Sequence, residues 1–144
     1  MSDLTIKFDP SVPRGAHEEL RALLAPYEAM LREEVREVRI SLREGSDPDT
    51  DDFQAATMTL RRYHFAVVQL DASFFALTDV EKAQIIAHEA THVIHDVYAR
   101  EVQHILMHLV PETSRSYAAN RLADAEERVI ETIANALYKA KGGV

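Results

Sequence analysis

The 144-residue chain contains no cysteine. Without thiols there is no disulfide framework, no thiolate nucleophile and no Cys-ligated zinc or iron–sulfur site, so any metal must be held by nitrogen and oxygen. Basic charge is also scarce: 16 Lys and Arg stand against 24 Asp and Glu, a formal net charge of −8. That balance argues against a nucleic-acid binder, which normally presents a basic face. No apolar run approaches the roughly 18 residues that a membrane-crossing helix needs. The opening MSDLTIKFDPSVP has no basic stretch leading into an apolar one, so the expectation is a cytoplasmic protein with no secretory signal. Only four Gly and five Pro interrupt the chain and no repeat is visible, so residues 1–144 are expected to form one domain. What the chain does have is 47% apolar residues, enough for a core, and seven His.

Periodicity places the elements. From about Ala16 to Leu31, the residues Leu20, Leu23, Leu24, Tyr27, Met30 and Leu31 recur at helical spacing. Pro26 inside that run predicts a kink or a division, because it removes a backbone donor and clashes with the preceding turn. Val38, Ile40 and Leu42 alternate with Arg39, Ser41 and Arg43 as in a half-buried strand. Met58 and Leu60 alternating with Thr57 and Thr59, and the apolar run from Phe65 to Leu70, predict two more strands, joined by Arg61 to His64. Between the first and second of these strands, the segment EGSDPDTDD (44–52) reads as a polar loop. It is no EF-hand, since Asp52 and Met58 stand where that loop needs Gly and a bidentate Glu.

Thr78-Asp79-Val80-Glu81 is a capping box and opens a helix. Ile85, Ile86, Ala90, Val93, Ile94 and Val97 continue it to about Val110, where Pro111 stops it. A last helix carries Val129, Ile130, Ile133 and Leu137 on one face and ends at Gly142-Gly143. The expected fold is α+β: an N-terminal helix, a small sheet of about three strands, the capped helix and a C-terminal helix.

Inside the capped helix lies His88-Glu89-Ala90-Thr91-His92, an HExxH segment. Imidazoles at i and i+4 project from one helical face about 6 Å apart, close enough to share one Zn²⁺. Glu89 follows the first of them and can sit beside a water whose pKa the metal lowers, where it would act as general base. Seven His and fourteen Glu would produce such a pattern by chance in about three chains per hundred, so its position well inside a capped, apolar-faced helix matters.

A catalytic zinc needs a third protein ligand. The metzincin spacing fails, because Ile94-His95 and Tyr98 stand where that pattern needs its Gly and its third His. His95 shares the face of His88 and His92 but lies about 10.5 Å along the axis from His88. The last helix offers glutamates instead, in Glu126-Glu127-Arg128-Val129-Ile130-Glu131-Thr132-Ile133-Ala134-Asn135. In these two motifs the chain resembles the gluzincin metallopeptidases, and within them the minimal phage-type or antirepressor-type enzymes. The resemblance implies a zincin-like fold, Zn²⁺ as cofactor, His88, His92 and Glu127 as ligands, and Glu131, four residues on, behind them in place of the usual Asp. Glu126, nearest the centre of the apolar stripe, and Glu131 stand as alternatives for the third ligand. Thr91 replaces the Gly or Ala that usually precedes the second His.

Other residues invite roles. His104 and His108 form a second i, i+4 pair, but Ile105 stands where a catalytic Glu would follow. Asp96 is placed to orient a ligand imidazole, and Tyr98 or Tyr117 to polarise a carbonyl. The expected function is a zinc-dependent metallopeptidase with Glu89 as general base, acting on a peptide or protein, with no nucleic-acid or membrane partner. The alternative is a non-catalytic interaction module with a structural metal. The strand expected nearest the HExxH helix, Phe65 to Leu70, is the one that would pair with an extended peptide.

Overall fold

The computed structural model describes residues 3–43, 55–60 and 64–142, so the Asp-rich segment 44–52 and most of the 61–64 connection lie outside the described residues. The chain runs β1 (Thr5–Phe8), α1 (His17–Leu24), α2 (Glu28–Glu34), β2 (Glu37–Arg43), β3 (Ala55–Leu60), β4 (Phe65–Asp71), α3 (Asp79–Leu109) and α4 (Arg115–Ala140). The class is α+β, with four strands rather than about three. The strand missed by sequence, β1, is only four residues long, and Thr5-Ile6-Lys7-Phe8 gives too short an alternation to stand out. Pro26 divides the N-terminal helix as expected, into α1 and α2 with a short 3₁₀ turn between them.

The sheet order is β1-β2-β4-β3. β1, β2 and β4 are parallel, whereas β3 is antiparallel to β4 and forms an edge. Register puts Ile6, Val38, Ala66 and Thr59 in one row and Ile40, Val68 and Thr57 in the next. These rows face the helices. Ile6, Val38, Ile40, Ala66, Val68 and Leu70 are buried against Leu20, Leu24, Tyr27 and Leu31 from α1 and α2 and Ile86, Ala90 and Val93 from α3. On the other face Glu37 holds Lys7 and Arg39, and the Arg39 guanidinium lies 3.9 Å from the centre of the Phe65 ring.

Two expectations change here. β4 is hydrogen-bonded on both sides, to β2 and β3, so Phe65 to Leu70 has no free edge for a peptide. Among the described residues the sheet's edges are β1 and β3, and β3 is the one packed beside α3. The alternation within β3 is also inverted relative to hydrophobicity: Thr57 and Thr59 turn inward, and Met58 is 55% exposed. Because side-chain period is two, the threonines rather than the apolar residues lie beneath α3.

α3 opens on the expected capping box, with the Thr78 hydroxyl accepting from the Glu81 N–H and the Glu81 carboxylate accepting from the Thr78 N–H. It is 31 residues long, about 46 Å at 1.5 Å per residue. An ion pair at 2.6 Å between the buried Lys82 and the part-exposed Glu19 ties its first turns to α1. α4 returns antiparallel beside it and ends where Gly142 takes φ +92°. On α4 the buried residues are Ile130 and Ala134, whereas Val129 and Ile133 are exposed, so its inner face is rotated from the one that hydrophobicity predicts.

Candidate metal centre

His88 and His92 stand one turn apart on α3, at the level where α4 brings Glu127 across. The ring nitrogens Nε2 of His88 and His92 are 3.2 Å apart. Glu127 places Oε2 3.3 Å from His88 Nε2 and Oε1 3.2 Å from His92 Nε2. Among the described residues this is the only group of three metal-ligating side chains with donor atoms within 4.8 Å of one another. Three donors on a tetrahedron with bonds of about 2.0–2.1 Å are separated by roughly 3.3 Å. The observed triangle therefore fits a single small cation. It also needs one, or a proton, because three electron-pair donors otherwise converge on one point.

The imidazoles are suited to that role. Burial holds His92 below the ordinary histidine value, only partly offset by the nearby Glu127 carboxylate. The ring is therefore neutral, as a ligand must be, at neutral pH. Thr91, where a smaller residue was expected, is fully buried, and its hydroxyl donates to the Ala87 carbonyl at 2.7 Å. That local bond removes the cost of an unpaired hydroxyl in the core.

Glu89, the residue after His88, is buried and faces Thr57 of β3. Burial raises its pKa above the usual carboxylate value, while a hydrogen bond from the Thr57 hydroxyl and the neighbouring His88 work the other way. Thr57 also reaches the backbone carbonyl of Glu89, at 3.4 Å. About three turns further along α3, and two residues further along β3, Arg100 ion-pairs with Asp96 at 3.1 Å and donates to the Thr59 carbonyl. The edge strand is thus tied to α3 at two places, Glu89 within the HExxH segment and Arg100 beyond it.

A cleft of about 670 Å³ opens beside the site, lined by Ala55 of β3, by Gln84, Ile85, His88 and Glu89 of α3, and by Glu131 and Asn135 of α4. The polar pair at its α4 wall is where Glu131 lies. It is exposed, and among the described residues it makes no hydrogen bond to either imidazole. Glu126 is half-buried and contributes to the field at His92 without joining the triangle. Of the three glutamates, Glu127 is the one whose carboxylate lies near both imidazoles.

The other candidates lie elsewhere. Tyr98, six residues past His92, is 66% exposed, its ring tilted 59° against that of His95 with centres 5.3 Å apart. Tyr117 is also exposed, ten residues before Glu127, about 15 Å away along α4. His104 and His108 pack edge to face with ring centres 4.6 Å apart, on an exposed stretch of α3, and no third ligand is in reach among the described residues. Thr57 escaped sequence reasoning. Its signal was available: two threonines at i, i+2 in the strand preceding the HExxH helix are polar residues on a face that must meet something polar. Neither a family model, nor a curated protein, nor a solved structure matches the chain.

Proposed function

We propose that the protein is a zinc-dependent peptidase of the zincin type, with His88, His92 and Glu127 as metal ligands and Glu89 as general base. The observation that carries this reading is the triangle of donors at 3.2–3.3 Å beside a buried carboxylate at the foot of an open cleft. A cation bound there supplies Lewis acidity, polarising a carbonyl and making an adjacent water easier to deprotonate. Glu89 takes the proton from the attacking water at its carboxylate and delivers it to the departing amine. Its raised pKa suits both halves of that task, since a base must hold the proton long enough to pass it on. The outer edge of β3, unpaired among the described residues, would take an extended peptide along the wall that Ala55 contributes to the cleft.

The test is metal content and peptide cleavage measured together. Wild type is expected to hold one zinc per chain and His88→Ala none. Glu89→Gln is expected to keep zinc while losing cleavage of a peptide mixture by about 10²–10⁴-fold. A chain with no metal overturns the centre. A chain that holds zinc, and whose biological effect is indifferent to Glu89→Gln, is the interaction module instead.

A further inference from the structure

The cleft beside the donor triangle carries charge of one sign. Glu81 and Gln84 line it from α3, Glu131 and Asn135 from α4, and no Lys or Arg lines it among the described residues. Glu81 is partly engaged, since one of its carboxylate oxygens accepts from the Thr78 N–H in the capping box. Glu131 is exposed and, among the described residues, makes no ion pair or hydrogen bond, although Arg128 lies one turn before it. An unpaired carboxylate on an open helix surface is ordinary. This one differs in lining a concave space that also holds His88 and the buried Glu89. At about 670 Å³ that space is within the range of ligand pockets, about 300–1,000 Å³. The rest of its lining is apolar, from Ala55, Leu77, Ile85 and Ala134.

We infer that the cleft recognises a peptide through a Lys or Arg side chain beside the bond that is cleaved, with Glu131 as the residue that sets this preference; the cleavage itself rests on the peptidase reading of the same site. Apolar surface next to carboxylates suits a long aliphatic stem that ends in a cation. A leucine side chain would cover the apolar part and gain nothing from the carboxylates. An acidic one would meet both of them and the chain's net charge of −8. The carboxamide oxygens of Gln84 and Asn135 are further acceptors for the N–H groups of a guanidinium or ammonium. Position follows from the helices. Glu131 comes one turn after Glu127, about 6 Å along α4, and His88 and Glu89 line the same cleft. A side chain whose head lies at Glu131 therefore belongs to a residue flanking the carbonyl at the donor triangle, not to a distant part of the peptide.

Binding and cleavage are read separately. Zinc-loaded Glu89→Gln protein is titrated with short labelled peptides alike except for one central residue, Arg, Lys, Leu or Glu, and wild type is given the same peptides to cleave. The Arg and Lys peptides are expected to bind about tenfold or more tightly than the Leu peptide, and the Glu peptide most weakly. The gap should narrow as salt is raised from about 0.05 to 0.5 M. Wild type should cut beside the basic residue with a preference of the same order, carried mainly by KM. Glu131→Gln should lower the Arg-to-Leu affinity ratio about tenfold, and Glu131→Lys should turn the preference to the Glu peptide, both with zinc content unchanged. Asn135→Lys, which sets a cation one turn from Glu131, should lower the ratio while leaving that carboxylate in place. Basic preference in binding without cleavage of any peptide would leave the recognition standing and remove the peptidase chemistry. Cleavage with no basic preference would do the reverse. Equal affinities for the Arg and Leu peptides, a basic preference that survives Glu131→Lys, or loss of zinc in the Glu131 variants would each overturn the inference.

Discussion

Glu89 shows most directly how one side chain connects stability to chemistry. Its carboxyl is buried and its pKa is raised by that burial, so in the metal-free protein the folded state holds this proton more tightly than the unfolded chain. By linkage the contribution is fully present below the ordinary carboxylate value, and is lost as pH rises through the folded value. Glu89→Gln removes that loss. In chelator, the variant is expected to unfold at higher temperature than wild type at pH 7, by a margin equivalent to about 0.5–2 kcal/mol. The margin should shrink toward pH 4. Thermal scans across that range check it, and a variant less stable than wild type at pH 7 would refute it. Thr57 is the companion case. Its hydroxyl donates to the Glu89 carboxylate from the edge strand, so under the proposed function it is a positioning residue. Thr57→Val keeps the shape and removes the donor, so turnover should fall about 10-fold or more with zinc content unchanged, and Thr57→Ser should restore most of it. Equal turnover in Val and Ser variants would show that the bond does nothing for the base.

Among the elements, legibility followed the length and regularity of the pattern. α3 was readable from its capping box to Pro111, and α1 with α2 was readable down to the break at Pro26, because each run offers several turns of one period. β3 was readable as a strand but not in its facing. Alternation fixes which residues share a side, and it was the polar side of Thr57 and Thr59 that turned inward, toward a polar site on α3 rather than an apolar core. That choice depends on what lies across the strand, which no local pattern contains. The same limit applies to α4, where the contact with α3 runs through Ile130 and Ala134 instead of Val129 and Ile133. Ala134 is small where the helices approach. Ala134→Leu is expected to overpack that contact by about 1–3 kcal/mol, and by pushing α4 outward to draw Glu127 from the imidazoles. Zinc titration should show affinity reduced about 10-fold or more, whereas Val129→Ala, at an exposed position, should leave it unchanged. Identical zinc affinity in the two variants would mean that α4 is not placed by this crossing.

At the scale of the molecule, α3 and α4 are held to the sheet only along part of their length. Beyond Tyr98 on α3 and before Ile130 on α4, no described residue is buried, so the centre sits near the junction between a packed body and a helical arm. Glu127 is 59% exposed as a side chain and contributes little to the fold without a cation. With one, it ties α4 to the HExxH turn of α3. Ligand binding to the folded state alone adds about 4 kcal/mol at a free concentration 1,000 times the dissociation constant. For a domain of this size that is a rise of roughly 10 °C or more in unfolding temperature. Glu127→Ala is expected to abolish most of the zinc-dependent rise and to change the unfolding temperature in chelator little, since an exposed substitution is usually within about 0.5 kcal/mol of neutral. The rise should also depend on pH with a definite sign. Protons compete for the imidazoles, so it should shrink on acidification. Because burial holds His92 below the ordinary histidine value, the loss should set in below the pH at which a free imidazole protonates. In the metal-free protein the same depression makes stability fall as pH drops through that value, since the unfolded chain then binds the extra proton. Calorimetry with zinc and with chelator from pH 8 to about pH 5 separates the two effects. An unfolding temperature that zinc does not move at pH 7.5, or moves equally in wild type and Glu127→Ala, would remove the tie between the helices.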